Sequence, residues 1–135
     1  MADDPHITVK LEGDATSIEF PAEGLTTSAT VTQIAPRFYR LDSVPLFTEL
    51  ASFGDVIEAD RIADDAIRFC RVTKASHWRV FDFLLPKETV GGDKLKNVLA
   101  HAEQVGAHWE RVFGDVVFIC VPPDVDWDPT ADLAG

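Results

Sequence analysis

Hydrophobic and polar residues alternate along most of the chain up to Leu85, and the alternation breaks at regular points. Ile7, Val9 and Leu11 share one face with Thr8 and Lys10 opposite, and Gly13-Asp14 supplies a turn. A second strand is predicted at Ser17-Ile18-Glu19-Phe20, stopped by Pro21. Residues 28–35 and 37–44 predict a hairpin around Ala35-Pro36, rich in β-branched and aromatic side chains. Val44 to Ala51 predicts a turn and one helical turn, after which Gly54-Asp55 leads into a strand at 56–59. Beyond a polar turn at Asp64-Asp65, residues 66–73 alternate, with Ile67 and Phe69 opposite Arg68 and Cys70. A further strand runs from His77 to Leu85, ended by Pro86. Short strands at this spacing predict a strongly curved sheet or a small half-open barrel.

The period then changes. Leu95, Val98, Leu99, Ala102 and Val105 fall at helical spacing, with Asp93 placed to cap the start and Gly106 to close the end. Strands at 107–113 and 116–121 follow, joined by a turn at Gly114-Asp115. With the strand at 77–85 they make β-α-β-β, most of a split ferredoxin-like unit. The predicted fold class is therefore α+β: a β-rich part over about 5–75, a β-α-β-β part over 76–122 and an acidic tail over 123–135, all in one domain. In the tail, Asp128-Pro129 is a helix entry with few residues left to extend it, so that helix either docks on the domain or is cut short.

Charge narrows the partners. Among 135 residues the net charge is −11. Residues 1–36 carry one Lys against six acids, and residues 112–135 carry five Asp and no base. Acidic ends of this kind repel phosphate backbones, so nucleic acid is excluded as a partner and a protein with a basic surface is favoured. No apolar run reaches the length of a membrane span, and Met1-Ala2-Asp3-Asp4-Pro5 lacks the features of a secretory signal, which makes the cytoplasm the expected compartment.

Catalytic and ligating patterns are missing from the sequence. His6, His77, His101 and His108 form no His-x-x-x-His pair, and Cys70 and Cys120 lie far apart in apolar stretches, so both cysteines are expected as small buried hydrophobes. Ser76-His77 point to opposite faces of a strand, and no glycine-rich phosphate cradle occurs. Asp60, Asp64 and Asp65 are the densest internal acids, expected in a solvated turn. No catalytic residue, metal or cofactor is assigned. Trp127, flanked by Asp126 and Asp128 with Asp124 nearby, is a candidate partner anchor unless it docks back on the domain. The tetrapeptide Phe-Gly-Asp-Val occurs at 53–56 and again at 113–116, consistent with one turn chemistry used twice.

The stretch Tyr39-Arg40-Leu41, Val44-Pro45-Leu46-Phe47 and Phe53-Gly54-Asp55-Val56-Ile57 with Ala59 resembles a bacterial family known as domain of unknown function 4265, whose members read Y-R-L, V/I-P-F-F/Y and G-D-V-V-x-A. Gly106 and Val121-Pro122 fit the later part of the same pattern, and the resemblance spans about residues 28–125. Leu46 stands where the family has Phe, and the chain after Asp128 is shorter than in many relatives. The resemblance carries no activity. Pro45 and Gly54 are read as turn formers, Asp55 as a cap, and Phe47 and Phe53 as packing under the barrel; in the alternative, Tyr39, Arg40, Phe47 and Asp55 rim a groove.

The leading expectation is a non-enzymatic, acidic protein-binding module, within which an immunity or antitoxin-like role fits the small size and charge. An enzyme or accessory protein acting on a small molecule or peptide in a pocket between barrel and helix is the second reading. A homo-oligomerising module, such as a homodimer formed through a strand edge, is the third.

Overall fold

The computed structural model describes residues 14–86 and 92–133 of the chain. The strand expected at 7–11 lies outside the described residues. The chain divides into two compact units between His77 and Trp78.

The first unit is built by five strands, β1 (Asp14–Phe20), β2 (Leu25–Ala35), β3 (Phe38–Leu41), β4 (Val56–Ala63) and β5 (Ala66–Lys74), with a 3-10 turn at Pro21–Glu23 between the first two. Each successive pair is antiparallel, so direction reverses at every connection and the fifth strand runs the same way as the first. Closure therefore has to be parallel, and β1 meets β5 with Ile18 opposite Ile67. The half-open barrel expected from the sequence is in fact a closed one. Closure removes both edges of the sheet, which gives every strand two partners.

Alternation decides what fills the barrel. Ile18, Phe20, Ala29, Val31, Tyr39, Leu41, Ile57, Ala59 and Ile67 form one buried cluster, and Phe69 packs on Phe20 with ring centroids 4.9 Å apart. Arg68 and Cys70 sit on the outer face, so Cys70 is exposed and not the buried hydrophobe expected. Its own strand pattern explains this, because residues 67 and 69 occupy the inward positions. The helical turn expected within 44–51 is absent from the described residues; 42–55 form an irregular, well-anchored loop. Phe47 has a left-handed backbone at φ 71°, which a right-handed helical turn does not accommodate.

The second unit contains β6 (Arg79–Leu84), α1 (Asp93–Gln104), β7 (His108–Val112), β8 (Val116–Val121) and a final short helix, α2 (Thr130–Leu133). The sheet order is β6-β8-β7 with both pairs antiparallel, so β6 and β7 run parallel with β8 between them. Leu95, Val98 and Ala102 are the buried stripe of α1. Gly92, and not Asp93, occupies the N-cap, and no side chain caps it. Asp93 falls one residue inside, where its charge still favours the positive end of the helix dipole. Gly106 closes the helix at φ 80° while Ala107 N–H returns to the Ala102 carbonyl at 2.8 Å. The tail helix is docked, with Pro129 and Leu133 buried.

Candidate functional site

The loop between β3 and β4 is long, irregular and held at many points. At its start, Asp42 N–H donates to the Thr30 carbonyl at 2.8 Å, and Ser43 Oγ accepts Thr30 N–H at 2.8 Å. The Asp42 carboxylate takes Arg40 Nε at 2.6 Å and the Thr32 hydroxyl. At its middle, Glu23 reaches over from the 3-10 turn: its Oε1 accepts the Thr48 hydroxyl at 2.6 Å and its Oε2 accepts Glu49 N–H at 3.0 Å. Leu50 N–H in turn donates to Thr48 Oγ1 at 3.1 Å. At its end, the buried Asp55 carboxylate, 6% exposed, accepts Ser52 N–H at 2.9 Å and Ser76 N–H at 2.8 Å. Gly54 N–H returns to the Leu41 carbonyl and Leu41 N–H to the Asp55 carbonyl, stitching the two ends together.

These bonds fix what the loop shows to solvent. Ser43, Val44, Pro45 and Phe53 are buried beneath it. Phe47 stands out at 75% exposed, with Leu50 also exposed beside the clamp. A φ of 71° costs a non-glycine residue roughly 1–2 kcal/mol, and exposing a phenyl ring forgoes roughly 1.5–3 kcal/mol of burial. Such strain persists only where the surroundings determine the backbone, and it concentrates at functional positions. An exposed aromatic on a stiff loop is what a partner's pocket takes as an anchor at low entropic cost.

The residues singled out from the sequence separate in space. Tyr39 is interior, 2% exposed, and Asp55 is a buried clamp, so neither rims a groove with the outward Arg40 and Phe47. Phe47 does not pack under the barrel, whereas Phe53 is buried. Asp124, Asp126 and Asp128 are exposed. Trp127 is half-buried and turned back: its Nε1–H donates to Asp132 at 3.2 Å, and its ring meets His101 edge-on with centroids 4.8 Å apart. Arg79 steadies this segment by donating to the Val125 carbonyl. Asp128 caps α2 by accepting Thr130 N–H at 2.8 Å, and bonding from Thr130 holds its carboxyl below the ordinary carboxylate range.

Two other clusters of polar side chains lie outside this loop. Asp60, expected with Asp64 and Asp65 in a solvated turn, lies instead in β4, ion-paired outside the barrel with Arg37 at 2.9 Å, and Arg37 also holds Glu58 at 2.9 Å. Arg71 lies 2.8 Å from the second Glu58 oxygen, but outside hydrogen-bond geometry. In the second sheet, Cys120 lies opposite His108, whose Nε2 is 2.6 Å from Glu110. Burial, reinforced by the Glu110 charge, pushes the Cys120 thiol far up, the reverse of what a nucleophile requires. Among the described residues no group of three or more His, Cys, Asp or Glu is arranged to hold a metal, and no helix is long and apolar enough to cross a membrane.

Sequence reasoning missed Glu23 and Leu50. Nothing in a Glu two residues after a proline announces that it will clamp a loop more than twenty residues away, and the left-handed backbone at Phe47 has no glycine to signal it.

Comparison with known proteins adds three findings. The profile of the family described as "Domain of unknown function (DUF4265)" matches residues 28–133, which include the whole loop. No curated protein matches the chain. A solved structure titled "Novel crystal structure of a hypothetical protein from Neisseria gonorrhoeae" is similar, with a TM-score of 0.57, 14% identity, and coverage of 84% of this chain and 79% of that one. At this identity the likeness is one of fold.

Proposed function

The chain belongs to the DUF4265 family, and from that premise we propose that it is a protein-binding module that docks through Phe47. The observation that carries this reading is the combination at one residue of 75% exposure, a strained backbone and a loop clamped by Glu23 and Asp55. The partner it fits has an apolar pocket for the phenyl ring and a basic rim for an acidic surface of net charge −11. An immunity or antitoxin role is the specific form this takes when the partner is a basic toxin. In this reading the exposed Asp124, Asp126 and Asp128 contribute long-range attraction, and Trp127 orders the tail. The second unit, with its helix crossover between parallel strands and one strand inserted, is read as most of a split ferredoxin-like unit.

A second reading rests on a different place. Leu84 and Phe113 are 76% and 75% exposed, and the pairing of Leu84 and Val112 with Val116 puts both at the same end of the second sheet. Self-association through that end predicts a dimer mass in solution that Leu84→Lys abolishes.

Affinity capture from a native lysate, with wild-type and Phe47→Gly baits at low and high salt, tests the leading reading. One discrete basic protein, retained by wild type at low salt, weakened by salt and lost with Phe47→Gly, is the expected result. Equal capture by both baits overturns it.

A further inference from the structure

Among the described residues, space is left at the end of the barrel where the β4–β5 hairpin turns. There a cavity of about 190 Å³ remains, bounded by Thr16, Gln33, Tyr39, Arg61, Asp64 and Asp65 among others. A cavity of this size has room for one small organic molecule. Mouths of β-barrels are recurrent places for such guests.

Three features make this a prepared site and not a packing gap. Tyr39 is 2% exposed and lines the cavity, yet its hydroxyl has no hydrogen-bond partner among the described residues. The hydroxyl is not fully occluded and its residue lines the cavity, which places it at the cavity wall. A phenol in an apolar interior normally finds a partner, and a guest's acceptor supplies one here. Arg61 lies with its guanidinium carbon 5.9 Å from the centroid of the Tyr39 ring. It is braced by Nη1 donating to the Asp64 carbonyl at 2.7 Å and by a 3.5 Å contact from Nη2 to Gln33. A guanidinium carries five N–H donors, so part of its fork is left for a ligand. Finally, the turn bearing Asp64 and Asp65 is fixed to β1, because Ser17 N–H donates to the Asp65 carbonyl at 2.8 Å.

We propose that this open end of the barrel binds a small zwitterion of the α-amino-acid class, with its carboxylate on Arg61 and the Tyr39 hydroxyl and its ammonium toward Asp64 and Asp65. The charges select this class. A plain anion of the same size would meet Arg61 but be repelled by two aspartates, and a plain cation would leave Arg61 and the Tyr39 hydroxyl unmet. Only a molecule with both poles satisfies both walls.

A titration followed by ¹H–¹⁵N nuclear magnetic resonance decides the matter, with glycine, alanine and serine as ligands and with propionate and ethylamine as single-pole analogues. Saturable shifts at the Gln33 side-chain amide, Arg61 Nε–H and the backbone amides of 64 and 65 are expected with at least one amino acid, and markedly weaker ones with either analogue. Tyr39→Phe should weaken binding about three- to tenfold with unchanged melting temperature, since the hydroxyl makes no hydrogen bond among the described residues. No saturable shift with any amino acid at millimolar concentration overturns the proposal. So does equal binding of an analogue, an unaltered affinity in Tyr39→Phe, or a loss of stability in that variant. Phe47→Gly should leave the titration unchanged, which keeps this test separate from the docking reading.

Discussion

Replacing Asp55 by alanine removes the carboxylate that ties the loop end to Ser76, two residues beyond β5. Its two oxygens accept Ser52 N–H at 2.9 Å and Ser76 N–H at 2.8 Å in a site that is 6% exposed. A hydrogen bond to a charged group contributes about 1.5–3 kcal/mol, and each N–H left without a partner costs about 1–3 kcal/mol. Water entering the vacated space recovers part of this, so the loss should be about 3 kcal/mol. With an unfolding entropy of about 2.1 cal/mol/K per residue, a cooperative transition of the 135-residue chain then shifts by about 10 °C. Asp55→Asn keeps one acceptor oxygen and should lose about half as much. Melting followed by circular dichroism gives the magnitude, and amide hydrogen exchange at Ser52 and Ser76 locates it. Melting of Asp55→Ala within ~2 °C of wild type, or unchanged exchange at those two amides, would refute the clamp and with it the stiffness attributed to the loop.

Further outcomes follow from the same geometry. Phe47→Gly relieves the positive φ and should raise stability by about 0.5 kcal/mol, measured by denaturant unfolding, while abolishing partner capture; a destabilised variant would show that the ring packs after all. Cys120 is held protonated in the fold, so its contribution is fully present below the ordinary thiol value of 9.0 and is lost progressively as pH rises above it toward the raised folded value, at up to about 1.4 kcal/mol per pH unit. Cys120→Ala should flatten this alkaline decline, and a native thiol assay should titrate Cys70 alone; a decline of equal slope in both proteins would exclude Cys120 as its cause. The Asp128 carboxyl is depressed, so its cap is present above the ordinary carboxylate range and released only as pH falls through the lowered value. Trp127 fluorescence should report that release at a lower pH than an ordinary aspartate titrates, and should lose it in Asp128→Asn. Reversing Asp124, Asp126 and Asp128 to Lys should slow association with a basic partner and flatten its salt dependence; unchanged rates would remove the tail from the docking account.

Local pattern was readable in the sequence, and long-range pairing was not. The strands at Ser17–Phe20, 56–59 and 66–73 declare themselves because one face must be apolar at period two, and the stripe Leu95, Val98, Ala102 declares α1 for the corresponding reason at helical period. The same alternation already puts Tyr39 beside Leu41 on the inner face and Cys70 beside Arg68 on the outer one. The parallel sense of the β1–β5 closure follows from the odd number of strands, but neither the closure nor the strand count was fixed until the pairing was seen. Phe47 is the instructive failure. Within Val44-Pro45-Leu46-Phe47 its neighbours Val44 and Pro45 are buried, so its hydrophobicity predicts burial too. Its exposure is decided by Glu23 and Asp55, which lie more than twenty residues apart from their bonded partners Thr48, Glu49 and Ser76. Asp55 was read as a turn cap and does accept Ser52 N–H within its own turn, but its bond to Ser76 is invisible locally.

In the proposed docking, Phe47 is the point of contact with another protein. Installing a photo-crosslinking phenylalanine analogue at position 47, with a matched control at the exposed Thr73, measures this in living cells. A discrete adduct with one basic protein, formed from position 47 and absent from position 73, is the predicted result. No adduct at 47, or the same adducts from both positions, would contradict it.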